Sequence, residues 1–473
     1  MVADATSEKT APPAPRGRGL ILAAPASGSG KTVVTLGLLR LLARHGTRAI
    51  GVKNGPDYID PAFHTAASYR PCANLDLWAM RPATVAAMIE RLSADHALVL
   101  AEGAMGLFDG AAEGGGSTAD LAALTGWPVV LVVDARGQGA SIAALMRGFR
   151  SHRADIEVAG VICNRVGSHE HAQILRRALA PLDMPVLGMV LRDAALVLPE
   201  RHLGLVQAAE HQDIDAFIDR AAERIHRYVE VSALMELAKP AHDLSRWAGS
   251  PGDGVPPLGQ RIAVAKDTAF AFAYPALLQG WRERGAELSF FSPLANEAPD
   301  PGADAIYLPG GYPELHAGRL AANMRFMGAL TTAAGRGITI YGECGGYMVL
   351  GTGLIDGEGR RQPMAGLLPL ETSFAERTLH LGYRAVALVG EAGLLGQGGA
   401  AFRGHEFHYA RILTEGEGAS LFLAADAAGR PLGGAGRRIG SVFGSFVHLI
   451  DRAPLGSQPP ALASDATARA KGG

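Results

Sequence analysis

The sequence predicts an α/β protein of two domains, each a mostly parallel sheet flanked by helices. Length is the first reason, because 473 residues exceed what one ordinary hydrophobic core holds. Pattern is the second. From Gly19 onward, short apolar runs ending in Gly, Asp, Asn or Pro alternate with longer amphipathic ones, as in parallel sheets buried on both faces. The third is a break over residues 239–260, rich in Pro and Gly and without usable periodicity, where a linker is expected. The division that follows is a disordered tail over 1–17, a first domain over 18–238, the linker, a second domain over 261–452 and a second tail over 453–473.

In the first domain "GLILAAP", "ALVLAEG", "PVVLVVD", "VAGVICN" and "PVLGMV" read as strands. "TVVTLGLLRLLARHG", "PATVAAMIERLSADH" and "HAQILRRALA" read as helices. The second domain opens with the strands "RIAVAKD", "AELSFFSP", "ADAIYLPGG" and "GITIYGEC", then turns β-rich after Met364 with "HLGYRAVAL" and "AAFRGHEFHYARI". A 48% hydrophobic, 19% charged composition suits a packed globular chain. A net charge of −2 offers no broad basic surface to nucleic acid or an anionic membrane, so neither is expected as a partner. Apolar runs fall far short of the roughly 20 residues of a membrane span, and the first residues lack the apolar segment of a signal peptide. Cys72, Cys163 and Cys344 are odd in number and widely spaced, which points to a reducing compartment, the cytoplasm.

The first chemical constellation is "ILAAPASGSGKTVVTLGLL", a strand, a Gly/Ser loop and a helix. Such a loop, Ser27, Gly28, Ser29 and Gly30, aims backbone N–H groups at phosphate. Lys31 then stands near the terminal phosphates and the Thr32 hydroxyl on Mg²⁺. Pro25 stands where the usual motif begins with Gly. "GVKNGPDYIDPAFH" follows, placing Lys53, Asp57, Asp60 and His64 after a strand beside a loop held by Pro56 and Pro61. Ligands in such sheets bind at the C-terminal strand ends, so these groups are expected to face the nucleotide; a solvated turn is the alternative. Glu102 ends another strand in "LVLAEGAMGLFDG", where a carboxylate commonly holds Mg²⁺, or else caps a helix.

The second constellation is "GITIYGECGGYMVLG". Glycines around Cys344 permit a sharp strand-to-helix turn that presents the nucleophile, and the helix N-terminus is expected to favour the thiolate. A buried structural cysteine is the alternative reading. "AIYLPGGYPE" offers the Gly311 amide, and Gly345 a second, as an oxyanion hole. His448 in "GSVFGSFVHLI" is the candidate base. His405 and His408 flank Glu406, but no third ligand is evident, so a role in structure or substrate contact is preferred to a metal site.

Together, the phosphate loop, "KNGPDYIDP", "NLDLW" and "EGAMGLFDG" resemble the dethiobiotin synthetase-like P-loop enzymes, and more closely the a,c-diamide synthases of corrin biosynthesis. "LPGGYPE", "YGECGGYMVLG", "RGHEFHYA" and "GSFVHLI" resemble the triad-type glutamine amidotransferase domain fused to those synthases. The resemblance covers about residues 18–452 and implies a P-loop NTPase-like fold followed by a class I glutamine amidotransferase-like fold. It implies ATP and glutamine as substrates, Mg²⁺ as cofactor, and a corrinoid acid amidated at its a and c carboxylates through an acyl phosphate. Lys53 would lie near the transferring phosphoryl group, and Thr32, Asp57 and Glu102 near the metal. Asp57, Tyr58, Asp60 and Asp109 would face metal or substrate, and Asn164 the base. The acid that orients the histidine usually stands two residues after it; that position is Ile450, and Asp451 is read as pointing elsewhere. The acid, the choice between hydrogenobyrinic and cobyrinic acid, and the order of amidation stay open. A homodimer is the assembly kept in view. A partition-type nucleotide switch, or a glutaminase-coupled ligase with another acceptor, would share some of these motifs.

Overall fold

The computed structural model describes residues 17–198, 200–201, 204–205, 207–210, 213–247, 254–390, 395–454 and 456. Nearly all of both expected tails, and residues 248–253 of the expected linker, lie outside the described residues. The first domain is built on β1 (Arg18–Ala23), β2 (Ala49–Asn54), β3 (Ala73–Leu75), β4 (Leu98–Glu102), β5 (Val129–Asp134), β6 (Val158–Val166) and β7 (Val186–Leu191). They pair in parallel in the order β3-β2-β4-β1-β5-β6-β7. Every residue of β2 and β4 is buried; β4 reads in the sequence as an apolar run, whereas Lys53 and Asn54 at the end of β2 break that pattern. The order reverses direction around β1, so a crevice opens at its carboxyl end. The phosphate loop occupies it, leading into α1 (Lys31–Arg44).

The expected linker is anchored at its start. Lys239–Pro240 pairs antiparallel with β1, and Val255 and Leu258 are buried. Proline fits there because an edge strand leaves its missing N–H without consequence.

In the second domain, Glu287–Phe291, Arg261–Ala265, Ala305–Leu308, Thr339–Glu343 and Val442–Ser445 are neighbours in that order, all parallel. The β-rich segment after Met364 extends this sheet with antiparallel strands, Pro431–Ile439, Ala419–Asp426, His380–Leu388, Ala401–His408 and His448–Arg452. His448–Arg452 follows Val442–Ser445 after two residues yet pairs at the far edge, so the sheet curls back on itself. His448 thereby lies opposite His405 and beside the end of the Thr339–Glu343 strand.

Buried polar contacts join the domains. Asp451 accepts from the Arg81 amide (2.9 Å), Arg81 Nε (3.1 Å) and Thr84 Oγ1 (2.6 Å). Trp78 stacks on Tyr383 at 4.4 Å, and the Tyr383 hydroxyl donates to Asp76 at 3.0 Å. "NLDLW" is therefore an interface motif, with Asp76 and Trp78 both turned to the second domain. Asp451 is almost wholly buried, so Asp451→Ala leaves Arg81 without its counter-charge. The expected loss is about 3 kcal/mol of stability, measured as a lower urea midpoint with the slope unchanged.

Candidate active sites

Gly28 and Gly30 take φ of 75° and 85°, the left-handed region in which a side chain is strained. These turns bring the loop round to α1, where Lys31 donates to the Met105 carbonyl at 2.6 Å and burial lowers its pKa to about 8. Thr32 Oγ1 donates to Glu102 Oε1 at 2.8 Å, so hydroxyl and carboxylate converge as a divalent-ion site requires. Glu102 also accepts from Lys53 at 3.0 Å and lies 2.7 Å from His64 Nε2. Burial would raise the Glu102 pKa, but Lys53 and His64 hold it below the usual carboxylate range. His64 is a residue whose part the sequence did not specify. It is wholly buried, and although burial disfavours its charge, Cys72 and Glu102 raise its pKa to about 10.

Lys53 also pairs with Asp60, whose carboxyl is pushed up to about 6 by burial and by Asp57, against the pull of Lys53. The segment expected to be a loop becomes α2 (Asp60–Ser68) from Asp60 onward, with Pro61 in its first turn, where a missing N–H costs nothing. Asp57 accepts from the Ile59 and Asp60 amides at 2.8 and 3.0 Å. Asp109 folds onto the Gly106 amide at 2.8 Å. Asn164 donates Nδ2–H to the Ser29 carbonyl at 3.0 Å, bracing the phosphate loop, and lines a cavity of about 300 Å³ beside it.

Tyr58 lines a larger cavity on this side, and its ring also reaches the second domain. Its ring stacks on Phe272 at 4.7 Å and packs against His448 at 4.7 Å, both residues of the second domain. Tyr274 fixes the same loop by donating to the Pro56 carbonyl at 2.7 Å. The aromatic slot gives the ring buried contacts that a polar crevice by itself would not.

Cys344 has φ 48° and ψ −105°, a strained conformation for a non-glycine residue, at the turn from strand Thr339–Glu343 into helix Gly345–Leu350. A Cβ built on Gly310 would lie 2.9 Å from His448 Nε2 and 3.1 Å from Cys344 Cβ, so both side chains converge over Gly310. One on Gly345 would lie 3.0 Å from the Gly311 amide nitrogen, which places the two expected oxyanion donors side by side. The expectation of a thiolate is corrected. Burial, and then Glu314, push the Cys344 thiol well above its ordinary pKa, outweighing a helix of one and a half turns. Burial, then His405 and His408, lower His448 to about 3, so its imidazole is neutral in the unliganded site.

One carboxylate that approaches the histidine is that of Glu343. Its Oε2 lies 3.8 Å from His448 Nδ1. It accepts from Tyr307 at 2.6 Å, Tyr341 at 2.9 Å and the Leu449 amide at 3.0 Å. Burial raises its pKa to about 7 against these donors. No motif spacing points to it, since it precedes the cysteine and meets the histidine only because adjacent parallel strands end together.

His405 and His408 point to opposite faces of their strand. His405 lies against Tyr58 and Tyr383, whereas His408 stacks on His380 and Phe446. The register supplies a third group that the sequence did not, with ligand atoms of His380, Glu406 and His408 within 4.8 Å of one another. Glu406 is already engaged by Arg384 at 2.6 Å and His408 at 2.9 Å, so a cation there would have to displace the guanidinium.

A cavity of about 880 Å³ joins the two domains. Its walls include Ser27 to Thr32, Lys53, Asp57, Tyr58, Asp60, Glu102 and Asp109 from the first domain, and Leu381 to Arg384, His405, Phe407 and Arg430 from the second. Phe407 reaches the other site, its carbonyl lying 4.0 Å from Cys344 Sγ.

Residues 20–206 match the CobQ/CobB/MinD/ParA nucleotide binding domain, and residues 261–454 the CobB/CobQ-like glutamine amidotransferase domain. The chain is 56% identical over 436 residues to the hydrogenobyrinate a,c-diamide synthase of Brucella anthropi, covering 92% of this chain and 98% of that one. It is 57% identical over 435 residues to that of Brucella suis, with the same coverage. With that of Rhizobium meliloti it shares 56% over 433 residues, 92% of this chain and 99% of the other. Two matched domains in the right order, and identity sustained over nearly the whole length, place this chain in the hydrogenobyrinate a,c-diamide synthase family.

Proposed function

We propose that the chain uses ATP and glutamine to amidate the a and c side-chain carboxylates of hydrogenobyrinic acid, the metal-free corrinoid named by its relatives. It is an amide-forming ligase that hydrolyses glutamine. The observation that carries the division of labour is the shared cavity, which has the phosphate loop at one end and Phe407, beside Cys344, at the other. Met105, Val197, Leu381 and Leu432 line it although they are half exposed or more, an unusual apolar rim for a flat macrocycle, and Arg384 and Arg430 supply cations for carboxylates.

In the second domain His448 takes the proton of Cys344, and the sulfur attacks the glutamine carboxamide. The Gly311 and Gly345 amides receive the oxyanion. Ammonia leaves, and water releases glutamate from the thioester. In the first domain Ser27 to Gly30 cradle the phosphates, and Lys31 and Lys53 neutralise the γ-phosphoryl group as it passes to a corrinoid carboxylate. Asn164 stands by the base pocket. Asp57, Asp60 and Asp109 line the acceptor side of the cavity. Thr32 and Glu102, with Asp57 near, fit Mg²⁺, which when bound offsets phosphate charge. Ammonia then attacks the acyl phosphate, forming amide and releasing phosphate. Activation is needed because a carboxylate has no good leaving group. Among the described residues no helix is long and apolar enough to cross a membrane. We place the chain in the cytoplasm, acting on small molecules without nucleic acid, and its assembly as a homodimer is checked by light scattering.

Glu343 orients His448 through Nδ1. Glu343→Gln should lower glutaminase kcat/KM by about 10²- to 10⁴-fold with little change in ammonium-supported amidation. Because its folded pKa is raised to about 7, the carboxylate forms only as pH rises through that value. Glutaminase activity therefore rises with pH there, and the variant loses this limb. The stability sign is the reverse: folding favours the protonated form, so this contribution is present at low pH and fades between about 4.5 and 7. The whole reading is tested by supplying hydrogenobyrinic acid, MgATP and glutamine and following the a,c-diamide by mass. Glutamine hydrolysis without amide would overturn the acceptor.

A further inference from the structure

Tyr58 has no assigned part in either half-reaction, yet it is the side chain of the nucleotide-side loop that reaches the glutaminase pair. It is 8% exposed, sandwiched against Phe272 and His448, with Tyr274 at 5.6 Å and His405 at 6.4 Å. Its hydroxyl has no hydrogen-bond partner among the described residues. Among the described residues the ring is held there by stacking. Tyr58, His405 and Phe407 border the shared cavity, whereas Cys344 and His448 do not, so the ring stands between the cavity and the nucleophile.

The same loop is wired to the phosphate site. Tyr58 stands two residues before Asp60, which pairs with Lys53. Lys53 pairs with Glu102, and Glu102 with Thr32. Gly55, at φ 85°, gives the loop a pivot at its other end. Phosphates and a cation arriving at Thr32, Glu102 and Lys53 compete directly for the partner that holds Asp60.

From this geometry we infer that Tyr58 is a positioning residue donated by the first domain, which closes the Cys344–His448 site toward the cavity until the nucleotide site is filled. The inference rests on the proposed function. Loading the phosphate site withdraws the ring, so glutamine is hydrolysed and ammonia released at full rate only when the nucleotide site is filled. A two-state loop whose open form is a minor population is enough for this.

The test uses the full chain without corrinoid acid, comparing wild type, Tyr58→Phe and Tyr58→Ala. Two quantities are read with and without MgATP: glutamate released from glutamine, and the rate at which iodoacetamide alkylates Cys344. In the wild type, MgATP accelerates both. In Tyr58→Ala both rise roughly tenfold or more without nucleotide, and MgATP adds nothing. Tyr58→Phe behaves as wild type, because the hydroxyl has no partner to lose. Wild-type rates in Tyr58→Ala with stimulation intact would overturn the proposal. So would a fall in both rates, which would make the ring a support for His448 and not a closure. Should Tyr58→Ala lose its native circular dichroism, Phe272→Leu removes the other side of the stack and must give the same release. Neither readout involves the corrinoid, so failure of the wild type to make amide overturns the acceptor and leaves this result standing.

Discussion

Cys344→Ala removes glutamine-supported amidation by about 10³-fold or more, while ammonium at raised pH still supports it. The expectation follows from the separation of the sites. Cys344 sits on its strained turn in the second domain, converging with His448 over Gly310. No contact of the phosphate site passes through it. The two nitrogen sources are compared by product mass on the same preparation. Loss with both sources, in a variant with native circular dichroism, would mean that the cysteine also serves the synthetase. Raised pH has its own effect on the other site. Lys31 titrates near 8, below its ordinary value, because it is buried. Its charge is lost as pH passes that point in the nucleotide-free chain, so the KM for ATP should climb there. Folding disfavours the charged form of this lysine, so its contribution to stability rises with pH between about 8 and 10.5.

Glu102→Gln gives the opposite pattern. Amidation falls with glutamine and ammonium alike, by about 10²- to 10³-fold, whereas corrinoid-free hydrolysis of glutamine continues at the rate seen without nucleotide. Glu102 is the meeting point of Thr32, Lys53 and His64, and it is wholly buried. Replacing its charge removes a carboxylate from the proposed cation site and leaves Lys53 with Asp60 as its remaining carboxylate partner. The KM for MgATP should rise together with the fall in kcat. A change confined to the corrinoid KM would place Glu102 in substrate binding instead.

Local pattern encodes part of this fold outright. Strands buried on both faces announce themselves as apolar runs, which is why β1, β4, β5, β6 and β7 were legible one by one. Backbone-driven features were legible for the same reason. Glycines at Gly28 and Gly30, and around Cys344, are required where the chain turns sharply toward a ligand or presents a nucleophile. Which distant groups meet depends on long-range pairing. Glu343 is adjacent to Cys344 in sequence, but its role follows from the pairing of Thr339–Glu343 with Val442–Ser445, which brings it to His448. Tyr58 lines the cavity with its acidic neighbours, yet its ring also fills an aromatic slot on the other domain, a contact with no local signature. The thiolate expected at Cys344 was likewise reversed by burial, a quantity with no local signature. Periodicity reports what a residue does to its own element, whereas desolvation and long-range pairing depend on surfaces that come together only when the whole chain has closed.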